Sequence, residues 1–347
     1  MPRKSNARKE KIVITGGAGF IGSHLALRLC NNNQVIALDR LDPNSAPDPI
    51  RRRIRALQKS GIQYIQGDLS DPAFLESLSR TIASAKAIVH TAAPVREKGP
   101  LEEFRAMNVD ATLRLAQKAR LGGVQKWIQL SSVMVYGFHY RDNIDETGPL
   151  SGDGNPYCIT KIESEHALLG LQGMGMDVTI LRPGDVYGRG SEPWVVRPLR
   201  MMKAKQFLLL DGGRYRINHV HVGNLAQAVE LVLKKKVPGQ IFNITDGQSS
   251  SCLEYFGALA KMAGFSEPPS LPSAVAKAGA GMMELGAALV GRQSQLNREA
   301  LKFVMRPGTV SSKKAMEYLG YRPVVSLTDG LADLRQWLES DRPDLLA

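Results

Sequence analysis

Short, mostly apolar runs, separated by amphipathic stretches, mark the first half of the chain: Ile12-Val13-Ile14, Val35 to Leu38, Ile62 to Ile65, Ala87 to His90 and Val124 to Leu130. Runs this short read as strands. Between them, Ser23 to Leu29, the arginine-rich stretch Arg51-Arg52-Arg53 with Arg55 and Lys59, the stretch opening at Asp71-Pro72 and the stretch from Asn108 to Arg120 read as helices. Strands alternating with helices at this spacing imply an α/β fold with a doubly wound parallel sheet, whose ligands bind beyond the carboxyl ends of the strands.

Beyond Gly190 the regular alternation gives way to short mixed elements. Phe207 to Leu210 ends in the turn Asp211-Gly212-Gly213, and Ile217 to Val222 returns as a strand with His219 and His221 on one face. Two histidines without a third ligand imply a structural role and no metal. Asn224 with Gln227 three residues on predicts a helix start. The run Leu271 to Val290 is rich in Ala, Gly and Met and carries only Lys277 and Glu284 as charges. Its mid-segment charges exclude a membrane span. Three readings remain, in order: a core helix, an apolar lid over a pocket, and a segment resting on a membrane surface.

Composition narrows the class. With 347 residues and 43% hydrophobic content the chain buries a sizeable core, which excludes disorder. Three scattered cysteines (Cys30, Cys158, Cys252) build neither a disulfide framework nor a zinc site, so a reducing, cytoplasmic setting is expected. The tail of residues 1–10 is basic without an apolar stretch behind it, and reads as solvated chain. A net charge of +12 is spread along the sequence without interleaved aromatics, which argues against nucleic acid and for anionic cofactors or substrates.

The chemistry begins at Thr15-Gly16-Gly17-Ala18-Gly19-Phe20-Ile21-Gly22, set between the first strand and the first helix. Glycines at 16, 19 and 22 let the backbone approach a pyrophosphate, and the amides that open the helix at Phe20 and Ile21 supply the anion site. Asp39, closing the second strand, suits the hydroxyls of an adenosine ribose. Arg40 beside it would stack on adenine, and Arg51 to Arg55 form either a solvated face or a patch for a 2′-phosphate. Asp68-Leu69 follows the third strand where adenine would lie, and Thr91-Ala92-Ala93 follows the fourth with side chains small enough for close approach. Tyr157 and Lys161, four residues apart after Asn155-Pro156, stack on one helix face. A nearby ammonium favours the phenolate, which makes Tyr157 a candidate general acid/base and Lys161 its tuner and ribose anchor. Ser132 follows the fifth strand.

These motifs, in this order, resemble the extended short-chain dehydrogenases/reductases, the group of NAD-dependent epimerases/dehydratases and 3β-hydroxysteroid dehydrogenases, over Lys11 to about Leu338. The resemblance implies a Rossmann-type NAD(P)-binding domain over residues 11–190, with some later segments returning to it, and a smaller mixed α/β substrate region over 191–347. It places the catalytic hydroxyl on Ser132, with Ser131 as the register alternative, and the catalytic pair on Tyr157 and Lys161. It also implies that Arg182 to Gly188 brackets the nicotinamide through Pro183, Gly184 and Val186. Asp39 favours NAD over NADP, since it would repel a 2′-phosphate. The helices from Asn108 to Leu121 and Tyr157 to Leu171 are expected to pair in a homodimer through Leu113, Leu115, Leu168 and Leu169. Dehydratases of the group place an acid pair after the catalytic hydroxyl residue; Val133 and Met134 stand there. The expected reaction is therefore hydride transfer at a secondary alcohol or ketone of a small, largely apolar, sterol-like molecule. A nucleotide-sugar 4-epimerase and a non-catalytic dinucleotide-binding protein are the alternatives.

Overall fold

The computed structural model describes residues 9–94, 96, 98–289 and 298–347, with only the backbone course given for 282–289 and 298. Most of the predicted basic tail, residues 1–8, lies outside the described residues, as does Val290 at the end of the Ala/Gly/Met run.

A seven-stranded parallel sheet forms the centre. Its strands are β1 (Lys11–Thr15), β2 (Gln34–Asp39), β3 (Gln63–Gln66), β4 (Ala87–His90), β5 (Lys126–Leu130), β6 (Asp177–Pro183) and β7 (Ile241–Ile244). They lie in the order β7-β6-β5-β4-β1-β2-β3. The first five follow the apolar runs; β6 and β7 extend the sheet, and β7 arrives from far beyond residue 190. Growth of the sheet reverses between β1 and β4, which opens a crevice at their carboxyl ends. The register places Thr15 opposite both Leu38 and His90, so the glycine loop, Asp39 and Thr91 emerge side by side.

Both faces of the sheet are buried. Ile12 and Ile14 point to one side, against Leu25 of α1 (Phe20–Leu29), while Val13 and Ile36 point to the other. Helix α2 (Asp48–Lys59) carries the arginine run. Leu101–Arg105, a wide turn over Ala106–Ala111 and α3 (Thr112–Leu121) follow one another without a break. Helix α4 (Pro156–Leu169) packs beside α3 on the same face. Leu115 and Leu168, expected on outer faces, are fully buried against the sheet, because a helix covering a parallel sheet turns its apolar stripe inward. Leu113 and Leu169 are half-buried at the edge of that cluster.

The C-terminal region departs from the expected pattern. No continuous strand runs from Ile217 to Val222: Arg216–Ile217 pairs antiparallel with Ser250–Ser251, and His219–His221 pairs parallel with Asp185–Tyr187. Asn218 makes the break, its amide bonded to the Asp185 carboxylate and its side chain to the Tyr140 hydroxyl, the Gly308 carbonyl and the Val310 amide. Helix α5 (Val222–Lys234) starts two residues before Asn224, capped by the His221 imidazole. Asn224 instead joins α5 to Asp246, Val324 and Val325. His219 is tied to Asp246 and Ser250. Helices α6 (Cys252–Ala263) and α8 (Leu327–Asp341) share an aromatic cluster with Tyr187 and Tyr255. In the described part of helix α7 (Ser273–Leu289) one side is core and the other open: Ala276 and Ala280 pack on Leu210 and Leu301, while Val275 is 54% exposed.

His90 links sheet and helix layer. Its ring bonds the Thr15 hydroxyl at 2.9 Å and the Thr112 hydroxyl at 3.0 Å, and stacks on Trp127. Burial, aided by the Lys161 charge, pushes its pKa down from 6.5 to about 3. Between those values the unfolded chain takes up a proton that the folded chain refuses. The stability tied to neutral His90 is therefore complete above about pH 6.5 and falls as pH drops, by about 1.4 kcal/mol per pH unit. Denaturation midpoints from pH 6.5 to 4.5 should fall more steeply in the native sequence than in His90→Asn, and parallel slopes would contradict the assignment.

Candidate active site

The glycine loop is shaped by its neighbours before any ligand is considered. Gly16 has φ +67°, and a Cβ there would lie 2.8 Å from the Thr91 hydroxyl. A Cβ on Gly22 would lie 2.1 Å from the Gly16 carbonyl oxygen. The loop thus delivers α1 with Gly19 as its N-cap, no side chain capping it and no acid in its first turn. A helix start left without a side-chain acceptor is an anion site, formed by the amides at Phe20 and Ile21.

Asp39 accepts from the Ala18 amide at 2.9 Å and the Leu41 amide at 3.2 Å. Burial raises its pKa against those bonds. Arg40 is exposed, and its charge acts on both Asp39 and Asp68. Burial works against ionisation of Asp68, yet its bonds from the Ser70 amide and hydroxyl hold its pKa below the usual value. Leu69 is buried in the core beneath. Thr91 and Ala92 close onto Thr15, through the Thr91 hydroxyl to the Thr15 carbonyl at 2.6 Å and both amides to the Thr15 hydroxyl; Ala93 follows in the same loop. Arg53, from the predicted solvated run, reaches back to the Ala18 carbonyl at 3.2 Å.

On the other side of the crevice, Asn155 starts α4 by accepting from the amides of Tyr157 and Cys158. That cap fixes where Tyr157 leaves the helix. The Tyr157 phenol is pushed up to about 12 by burial, and the neighbouring Ser132 hydroxyl draws it back down. Ser132, not Ser131, is the serine that reaches the phenol; its Oγ also accepts from the Met134 amide, which starts the tight turn Val133–Tyr136. Lys161 lies below, its ammonium 5.7 Å from the Tyr157 ring centroid and bonded to the Leu130 carbonyl at 2.9 Å. Burial brings its pKa down to about 8, with Glu165 opposing.

Residues of the Arg182 to Gly188 segment are held by contacts within the protein. Arg182 turns into the core and grips Glu165, with Nη2 to Oε2 at 2.6 Å, and donates to the Tyr136 hydroxyl at 2.9 Å. Pro183 and Val186 are buried in the strands that carry them. Gly184 is small because the Asn218 carbonyl oxygen would lie 2.0 Å from a Cβ there. Asp185 forms a buried pair with Arg306, both carboxylate oxygens at 2.7 Å from Nη2. Neither Arg306 nor Glu165 had a local signal in the sequence, since each acts through a partner distant along the chain. Asn155 had one, as the residue before the helix-opening proline. Next to Ser132, Met134 packs with Phe138, Cys158, Tyr157 and Phe303, an apolar wall. A cavity of about 420 Å³ adjoins it, sharing Phe138 and lined also by His139, Lys277, Ala278, Leu301, Lys302 and Met305.

Residues 12–245 match the model of the NAD dependent epimerase/dehydratase family. The chain belongs to that family. It is accordingly an NAD-dependent enzyme of the extended short-chain dehydrogenase/reductase type. A ketoreductase of Stigmatella aurantiaca, acting on 4-hydroxy-2-methyl-3-oxo-4-farnesyl-3,4-dihydroquinoline-1-oxide, is 28% identical over 93% of this chain and 95% of its own length. A dTDP-glucose 4,6-dehydratase of Actinoplanes is 28% identical over 96% and 98%. The 3-beta-hydroxysteroid dehydrogenase of Mycolicibacterium neoaurum is 26% identical over 93% and 90%. Among solved structures, the dTDP-glucose 4,6-dehydratase of Streptomyces venezuelae with NAD and TYD bound superposes with a TM-score of 0.78 at 25% identity, over 96% of this chain and 98% of that one. The uncapped start of α1, the glycine cradle and the half-buried Asp39 fit a dinucleotide.

The Glu165–Arg182 pair supports Lys161 from behind, with side chains 2% exposed on both partners. Glu165→Gln leaves a buried guanidinium without its counter-charge and should cost about 3–5 kcal/mol. The double variant Glu165→Leu with Arg182→Met should cost less than the single one. Urea denaturation of both checks this, and a double variant at least as unstable as the single would overturn it.

Proposed function

We propose that the protein transfers a hydride between NAD and a secondary alcohol or ketone on a largely apolar ring or chain. NAD, when bound, donates or accepts the hydride. Gly16, Gly19 and the amides of Phe20 and Ile21 would hold its pyrophosphate. Asp39 would hold the adenosine ribose, its carboxylate opposing a 2′-phosphate, with Arg40, Asp68 and Leu69 at the adenine and Thr91 to Ala93 along the crevice. Pro183, Gly184 and Val186 would face the nicotinamide. In this reading the Ser132 hydroxyl holds the substrate oxygen and Tyr157 passes the proton. With a pKa raised to about 12, Tyr157 is protonated at neutral pH, the form that can donate to a carbonyl oxygen. Lys161, at about 8, remains mostly an ammonium at pH 7 and stabilises the phenolate that the donation leaves.

The observation that carries the choice of substrate class is the wall beside Ser132. Val133 is 1% exposed and Met134 6%, and neither can protonate a leaving hydroxyl. Met134, Phe138 and Phe303 instead pack together as an apolar lining where a dehydratase would need an acid. Likeness to the farnesyl-quinoline ketoreductase and the hydroxysteroid dehydrogenase supports the same class. Removing the proton with Tyr157→Phe keeps the packing, so turnover should fall by about two orders of magnitude or more while NAD binding survives. Near-normal turnover in that variant, measured against an apolar ketone, would refute the assignment.

The protein acts as a cytoplasmic homodimer in this reading. Helices α3 and α4 lie side by side, Arg105 of the preceding Leu101–Arg105 helix pairs with Glu163 of α4 at 2.8 Å, and Leu121 at the end of α3 is 77% exposed. Sedimentation at micromolar concentration should give twice the chain mass; a single monomer boundary would count against the dimer.

A further inference from the structure

The arginines nearest the catalytic serine are not available to a substrate. Arg182 is held by Glu165 and Arg306 by Asp185, and both guanidinium groups are buried. Arg306 uses its remaining donors on the Phe303 carbonyl and the Met134 sulfur. Lys161 belongs to the proton machinery. Beside Met134 the structure therefore shows apolar side chains, and Arg182, Arg306 and Lys161 are already engaged.

Charge returns in the adjoining cavity. The cavity of about 420 Å³, within the range of about 300–1,000 Å³ typical of small-molecule sites, is lined by Lys277 on α7 and by Lys302 above the Phe138 ring at 5.8 Å. Lys302 pairs with Glu299 at 2.7 Å, yet its side chain is 41% exposed. Such a pair is weak and exchanges readily for a stronger anion. Lys277 is exposed, carries no ion pair among the described residues, and sits beside Ala278 over the apolar floor.

We propose that this cavity binds amphipathic substrates: the apolar body lies along Phe138, Ala278 and Leu301, and an anionic group at the end remote from the reacting carbon is held between Lys277 and Lys302. The proposal rests on the apolar-substrate reading above and adds the anionic terminus. It assigns α7 a function as the charged cover of the site, which separates ligands by the group they carry outside the reaction centre.

Two fluorescent probes share one apolar body and differ in a sulfonate: 8-anilinonaphthalene-1-sulfonate and N-phenyl-1-naphthylamine. Both are titrated into the full chain with saturating NAD. The sulfonate should bind more tightly than the neutral probe. Lys277→Met with Lys302→Met should weaken the sulfonate by about fivefold to tenfold, the scale of two partly exposed ion contacts, and leave the neutral probe unchanged. Ala278→Trp should displace both probes. Equal binding of the two probes to the native chain, a sulfonate preference that survives the double lysine variant, or probes that still bind Ala278→Trp would each overturn the proposal. No turnover is read, so the anion site can fail while hydride transfer through Tyr157 stands, and the reverse.

Discussion

Taking the Lys161 ammonium out of water costs several kcal/mol unless other groups replace its hydration. The neighbourhood is arranged around that requirement. The Leu130 carbonyl at the end of β5 accepts a hydrogen bond from it, Glu165 one helical turn on supplies counter-charge, and Arg182 from β6 pairs with Glu165 in the core. Tyr136 passes the chain of bonds on to Asn243 in β7. The cation beside the Tyr157 phenol is thus held by the sheet itself, and helix α4 cannot shift along β5 without breaking the set. The same field acts on His90, whose neutral ring helps hold β4 to β1 and to α3.

A second buried pair, Asp185 with Arg306, closes the opposite side of the site. It joins the strand Asp185–Tyr187 to the stretch carrying Phe303 and Met305, so these two segments are held as one piece. Both charges are satisfied internally, and the side chains packed around Met134 are the apolar Phe138, Cys158 and Phe303. Family membership establishes NAD-dependent chemistry; these apolar residues bear on what the chemistry is done to.

Much of this was legible in the sequence because a parallel sheet buries both faces and writes its strands as mostly apolar runs. The glycine turn, Asp39 and the Tyr157/Lys161 pair are local patterns, and the structure brings them to one crevice through sheet order alone. What was hidden depends on contacts between distant residues. Arg306 lies 121 residues from Asp185, and no periodicity announces that pairing. Asn218 breaks the predicted strand because a carboxylate from another segment takes its amide. Leu115 and Leu168 looked like interface residues because an apolar stripe does not say whether the sheet or a second subunit covers it. His221 displaced Asn224 as the cap of α5 since the strand before it ends at His221, one residue short of the predicted Val222.

The reaction we propose for this site is net hydride transfer to an apolar ketone. It is tested most directly by following a label: the protein is given NADH deuterated at the transferring position together with a panel of ring ketones and a panel of nucleotide sugars, and products are read by mass spectrometry. The account predicts an alcohol carrying one deuterium at the former carbonyl carbon, with one NAD formed per alcohol. Conversion of a nucleotide sugar with no net change in NADH, and no label in any ketone, would contradict it.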